Sequence, residues 1–322
     1  MGEITVVYAF VSFRNEAMRL SRINEIGLLC AWKKLKHMIR MDADTMDLAT
    51  RHGAYEYLLK YSYACDWKAK NWKPQKGDKI IWTCWWQGVE NAPLLVQRCI
   101  QSMREHANGY EVKIIDQTNW QRYIQIPKYI FQKHEQGIIP HAHFADIIRL
   151  YLLLEYGGIW IDSTILLTDV LPDYIQDAPL FMYRSGGRGD TLMVNPFIAA
   201  FPHHPFLEDV LRLLLEYWKQ ENRLVAYIIM PLFCTMVVRK SPYYSELWEK
   251  TPPVSCAAID ILLPMMNKPF DPDYYHLIKQ LSSVHKLTYK FSQYGIDTGQ
   301  KGTFYDVLIK GNDAERNENT AL

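Results

Sequence analysis

Three charged residues stand at spacings that let them meet. Asp146 and Arg149 are three apart within residues 141–167 (HAHFADIIRLYLLLEYGGIWIDSTILL), so on a helix they share one face. Asp162 follows the pair Gly157-Gly158 and a short apolar run, with Thr164 two residues on. Far downstream, His285, Lys286 and Lys290 add a histidine and two cations, and Trp85, Trp86 and Asp116 follow two other apolar runs. A ligand with two phosphates, a ribose and a hydroxyl-rich ring calls for such groups. Asp162 suits a metal or a ribose, and Asp146 with Arg149 suits sugar hydroxyls. Lys286 and Lys290 suit phosphate, and His285 suits a metal or a phosphate oxygen.

Each residue also has a plainer use. Asp162 could cap the turn after it, and Asp146 with Arg149 could be a structural ion pair. His285 and Lys286 could be surface residues. His141 and His143 form an HxH without further ligands, so they are expected to shape a helix start and not to hold zinc.

The elements that would position these groups can be read locally. Residues 80–86 (IIWTCWW) form a short β-prone run, and residues 110–115 (YEVKII) form a second. Between them a helix is expected to about His106, with Asn91 as its cap and Pro93 in its first turn. Strand, helix, strand predicts a parallel arrangement of the nucleotide-binding type, whose ligand crevice lies beyond the C-terminal strand ends. That would place Trp85, Trp86 and Asp116 near the crevice. Of the nearby tryptophans Trp82, Trp85 and Trp86, alternation leaves one or two facing a ligand. In residues 141–156 the apolar positions Phe144, Ile147, Ile148, Tyr151 and Leu152 mark one helical face. Gly157-Gly158 ends that helix, and residues 159–161 are a central strand that delivers Asp162. Further strands are expected at 180–183, 193–201 and 283–287, and an amphipathic helix at 205–221.

Composition narrows the class. The chain has 322 residues, 49% hydrophobic and 22% charged, so most of it folds. Lys plus Arg is 36 and Asp plus Glu is 35, a net +1, which gives no sign of a nucleic-acid binder. The six cysteines show no CxxC or zinc spacing and read as scattered thiols in a reducing cytosol. No basic run precedes the apolar stretch 4–13, which argues against a signal peptide. The uncharged run 224–238 is too short to span a bilayer and contains Pro231, so a buried helix is expected. The organisation reads as a helical extension over 1–73, a main domain over 74–310 and a polar tail over 311–322. A polar linker at 73–78 separates the first two. Residues 14–40 concentrate Arg and Lys beside an apolar side. Such a helix can lie on an anionic membrane, or pack on the domain with its basic face solvated.

The pattern A-D-x-x-R followed by L-x-x-x-G-G-x-x-x-D resembles the signature of retaining glycosyltransferases of GT-A fold. It is similar to the DXD sugar-transferase group that includes a yeast mannosyltransferase. The likeness is closer to the bacterial capsular polysaccharide synthesis proteins of that group. It rests on four ordered blocks within residues 78–292: IIWTCWWQGVENAP (80–93), AHFADIIRLYLLLEYGGIWIDST (142–164), NPFIAAFPHHPF (195–206) and SSVHKLTYK (282–290). The N-terminal 73 residues fall outside it. The resemblance implies an α/β fold with a GT-A-like, Rossmann-like mixed sheet flanked by helices. It also implies a cytoplasmic enzyme, alone or at the inner face of the plasma membrane, taking sugar from a nucleoside diphosphate sugar to a growing glycan. The glycan would be carried on polyprenyl diphosphate. Asp146, Arg149 and Asp162 map to its donor-sugar contacts and to the first aspartate of the DXD. Thr164 replaces the last aspartate, normally the direct ligand of Mn²⁺ or Mg²⁺, which puts the cation in doubt. Asp162 with His285 could still hold it, or Lys286 and Arg149 could replace its charge. Asn195 and His204, within 185–204, are the acceptor-side candidates. The same missing aspartate motivates an alternative, a non-catalytic protein that binds sugar nucleotide or a partner.

Overall fold

A computed structural model of the chain describes residues 43–312, apart from 187–189. The basic stretch 14–40 and most of the expected tail lie outside the described residues, as does the centre of the loop at 185–190.

The described residues begin with α1 (Ala43–Leu58) and a 3-10 turn (Leu59–Ala64). Next come β1 (Ile80–Cys84), α2 (Leu94–Glu105), β2 (Glu111–Ile115), α3 (Lys128–Glu135) and α4 (His141–Tyr156). β3 (Gly158–Ile161), β4 (Ile165–Leu167), α5 (Asp173–Gln176), β5 (Leu180–Arg184) and β6 (Met193–Ala200) follow. The remainder is α6 (Pro205–Gln220), α7 (Ile229–Lys240), α8 (Pro242–Glu249), α9 (Pro272–Leu281), β7 (Val284–Lys286) and α10 (Phe304–Leu308).

Five strands form one mixed sheet in the order β2-β1-β3-β6-β5. β1 runs parallel to β2 and β3, as the strand–helix–strand order predicts, while β6 is antiparallel to β3 and to β5. The central strands are buried on both faces, which is why they read as unbroken apolar runs. Trp82 and Trp160 pack on one face with α4 and α6, and Ile81, Ile159 and Ile161 pack on the other. Trp82 is fully buried and donates its Nε1–H to the Gly157 carbonyl at 3.0 Å, so it is core.

The α4–β3 turn is where glycine is required. Gly157 and Gly158 have φ of +69° and +92°. A Cβ at Gly158 would stand 2.4 Å from the Ile80 carbonyl oxygen of β1. The strand can lie against β1 only because that Cβ is missing.

Three local expectations change. Asn91 does not cap α2. Pro93 holds the cap position, because a residue before proline is pushed out of helical geometry, and Ala92 is extended at φ −77°, ψ 148°. Asn91 instead closes a short 3-10 turn through the Gln87 carbonyl at 3.0 Å. Packing also does not stop at residue 73. Leu58 and Tyr61 are fully buried in the main core, and Glu221 accepts hydrogen bonds from Tyr57 at 2.5 Å, Lys60 at 2.8 Å and Tyr61. The segment 73–78 is no loose spacer either, since Asp78 N–H donates to the Tyr156 carbonyl at 3.2 Å.

Of the apolar run 224–238, only the part from Ile229 on is helical, as α7, buried over most of its length. Residues 224–228 form the loop before it, and Pro231 sits in the first turn where its missing N–H costs nothing. No helix among the described residues is long and apolar enough to cross a membrane. β4 was not anticipated. It pairs antiparallel with β7, Ile165 opposite Lys286 and Leu166 opposite His285.

Candidate active site

Past the C-terminal ends of β1 and β3 lies a cleft of about 830 Å³. Nine of the twelve sequence candidates line it: Trp85, Trp86, Asp146, Arg149, Asp162, Thr164, Asn195, Lys286 and Lys290.

At its centre is a chain of charges. Asp162 leaves β3 with its backbone held by the Pro196 carbonyl, and its own carbonyl closes the turn onto Ile165 N–H at 2.9 Å. Its side chain is therefore not spent on that turn. Oδ1 accepts from Trp160 Nε1 at 2.9 Å and from Arg149 Nη2 at 3.3 Å, and Oδ2 accepts from Lys286 Nζ at 3.0 Å. Burial alone would raise this carboxyl. The Lys286 ammonium and the Arg149 guanidinium outweigh it and hold the group below the usual carboxylate range.

One face of α4 supplies the second half. Arg149 also meets Asp146 Oδ1 at 3.1 Å, donates to the Asn195 carbonyl and stacks on the Trp160 ring at 4.8 Å. Asn195 Nδ2 donates to Asp146 Oδ1 at 2.9 Å. The Asp146–Arg149 pair is thus a structural ion pair and a cleft wall at once. One guanidinium fixes two carboxylates, so the site is pre-set before any ligand enters.

Trp85 and Trp86 stand half-buried at the mouth. Trp85 meets Tyr289 edge-on at 5.4 Å, and Trp86 packs edge-on against His134 and Phe144. Lys290 is exposed on the rim.

Three candidates are elsewhere. Asp116 forms a local turn, accepting from the Thr118 N–H at 2.7 Å and hydroxyl at 2.6 Å, and does not line the cleft. His285 points to the opposite side of β7 from Lys286, because successive side chains alternate. It is fully buried with Nε2 3.1 Å from Thr168 Oγ1, so it is no cleft metal ligand. His204 caps α6, accepting from Phe206 N–H at 3.3 Å with Trp72 edge-on at 4.6 Å. Its burial rules out the expected acceptor contact.

Burial pushes the His285 imidazole down to about 4 and that of His204 to about 3. Both are neutral when folded, whereas unfolded imidazoles take up protons below about pH 6.5. Folded stability is therefore complete above that value and is lost as pH falls. Each site is expected to cost on the order of 1–2 kcal/mol by pH 5. Melting temperature should drop between pH 7 and pH 5, and a His204→Asn/His285→Asn variant should show a shallower slope. An unchanged slope would refute this.

His143 was expected only to shape the helix start. It lines the cleft, 2% exposed, with Nδ1 3.6 Å from Asp146 Oδ2. Its i, i+3 spacing to Asp146 was the available signal. Tyr227, 73% exposed on the loop before α7, also lines the cleft and meets the His143 ring at 5.5 Å. No local pattern marks it.

The residues present fit a tightly held divalent cation poorly. Both Asp162 oxygens are taken, and the Thr164 hydroxyl accepts from Lys286 Nζ at 2.7 Å. No group of three or more His, Cys, Asp or Glu side chains among the described residues is arranged to hold a metal.

Comparison with known proteins places the chain. Residues 54–308 match the family described as capsular polysaccharide synthesis protein. The chain belongs to that family. The match reaches back past residue 73, through the 3-10 turn to the end of α1, where Tyr61 of the turn and Tyr55 and Leu58 of the helix join the core. The chain is 30% identical over 178 residues to the O-glycosyltransferase braB of Annulohypoxylon truncatum, covering 49% of this chain and 42% of that protein. It is 27% identical over 110 residues to the O-glycosyltransferase PaGT of Phomopsis amygdali, covering 31% and 27%. It thus spans less than half the length of these curated relatives, both of them fungal. Among solved structures it is similar to the PaToxG glycosyltransferase, at TM-score 0.40 and 17% identity, over 81% of this chain and 94% of that one.

Proposed function

We propose that this family member is a glycosyltransferase of GT-A-like fold. It moves a sugar from a nucleoside diphosphate sugar to a hydroxyl of a growing capsular or cell-surface glycan. The observation that carries this is the Asp146–Arg149–Asp162–Lys286 charge chain at the strand ends of a cleft roomy enough for a sugar nucleotide. Family membership and the names of the two relatives support it.

Transfer breaks the bond from the anomeric carbon to the diphosphate oxygen, and the electron pair stays on the diphosphate. The acceptor oxygen bonds to the same carbon, and its proton passes to the departing phosphate oxygen. Negative charge gathers on the leaving group, so cations aimed there lower the barrier. Asp146 and Arg149 hold the donor sugar, and Trp85 and Trp86 offer a plate for base or sugar. The two central carboxylates, Asp146 and Asp162, are each paired with a cation, which ill suits either as the nucleophile of a covalent intermediate. We therefore favour front-face attack with retention. Asn195 lies on the acceptor side. The acceptor is carried on polyprenyl diphosphate, and residues 14–40 draw the chain to the anionic inner face of the membrane.

One experiment tests the whole reading. UDP- and GDP-sugars are offered singly, with and without Mn²⁺, and with lipid-linked acceptor in anionic vesicles. One donor should be consumed, and the product should float with the vesicles and keep the donor's anomeric configuration by NMR. An inverted product removes the front-face mechanism. Clear binding with no turnover of any donor favours the non-catalytic alternative.

A further inference from the structure

We propose that the ammonium of Lys286 is the built-in cation of this cleft, filling the seat beside a nucleoside diphosphate that a divalent metal would otherwise take. This rests on the sugar-nucleotide reading above.

The seat is defined by two oxygens. Lys286 Nζ lies 3.0 Å from Asp162 Oδ2 and 2.7 Å from Thr164 Oγ1. An ammonium carries three N–H donors, so these two contacts leave one for a phosphate oxygen. The side chain is 30% exposed, at the cleft wall. Its backbone is pinned on both sides. Lys286 N–H donates to the Ile259 carbonyl at 2.7 Å, and Leu287 N–H donates to the Thr164 carbonyl at 2.8 Å. Pairing Ile165 with Lys286 in the β4–β7 ribbon sets the register that puts the amine opposite the turn.

Charge matching selects the occupant. Two carboxylates would give the seat a charge of −2, suited to a divalent cation. One carboxylate and one neutral hydroxyl suit a single positive charge. Asp162 Oδ1 already accepts from Trp160 and Arg149, so an incoming divalent ion would have to expel Lys286 and then sit beside a guanidinium. In transfer no bond forms to Lys286. It donates to the diphosphate oxygen that receives the electron pair, while the acceptor's proton goes to the phosphate.

The test needs no donor. Mn²⁺ alone is titrated into the full chain and its free-ion EPR signal is followed. The wild-type chain should leave the signal unchanged at concentrations up to about 1 mM, the upper end of the range of specific sites. A Thr164→Asp/Lys286→Ala variant should bind Mn²⁺ and quench it. In a second arm, wild-type protein should bind UDP or GDP equally in EDTA and in Mn²⁺. Lys286→Met should weaken that binding at least about 10-fold, as loss of a charge-assisted contact, and Lys286→Arg should restore part of it. Mn²⁺ binding by the wild type that Asp162→Asn abolishes would overturn the proposal. So would nucleotide binding that EDTA eliminates, or Lys286→Met binding as tightly as wild type. If no nucleotide or donor binds under any condition, the transferase reading fails, while the Mn²⁺ titration still decides what occupies the seat.

Discussion

Asp162→Asn is expected to remove about 100- to 1000-fold of kcat/KM for donor cleavage, the scale of disabling one preorganised donor at a developing anion, because Asp162 aims the cations that face it. The amide keeps the shape of the carboxylate and loses its charge. Lys286 and Arg149 would then lose the carboxylate that aims both of them. An Asn NH₂ group would also face one of these cations, donor against donor. The protein should stay folded, because Arg149 keeps Asp146 and the Asn195 carbonyl as partners. Donor hydrolysis and a melting curve on the same preparation separate the two effects. Full activity in a folded variant would show that the chemistry is not at Asp162.

Gly158→Ala is the largest expected effect on the fold. At φ +92° any side chain is strained, and the new Cβ would lie 2.4 Å from a backbone oxygen in the central strand β1. That neighbour is main chain in a paired strand and cannot swing aside. Strain plus overpacking is expected to cost about 3 kcal/mol or more. For a domain of this size that is a fall in melting temperature of about 6–12 °C. Any relief must move β3 away from β1, and Asp162 sits one residue beyond the end of β3. Transfer should therefore fall together with stability. Gly53→Ala is the control. It lies inside α1 with nothing within 4 Å of a new Cβ, and is expected to gain about 0.5–1 kcal/mol. Equal melting temperatures for the two variants would refute the close-approach argument.

Much of this site was legible in the chain because its parts are neighbours in sequence. Helical spacing puts Asp146 and Arg149 on one face. A glycine pair ends the helix, and the next few residues must be the strand that delivers Asp162. β1, α2 and β2 follow from the same kind of local pattern. Asn91 shows the limit of that reading, since a competing proline two residues on took the cap position.

The sequence by itself determined the α/β alternation, the turn at Gly157-Gly158 and the central trio Asp146, Arg149 and Asp162. Each of these depends on periodicities within about twenty residues. The tertiary structure alone decided between His285 and Lys286. In a three-residue strand either side chain could face the cleft, and only pairing with β4 selects the lysine. It also sent His204 into a helix cap and Asp116 into a turn, and brought Tyr227 to the rim. It drew residues 54–65 into the core through Glu221 and the buried Tyr61. These outcomes depend on which distant surfaces bury one another, and no local spacing encodes that.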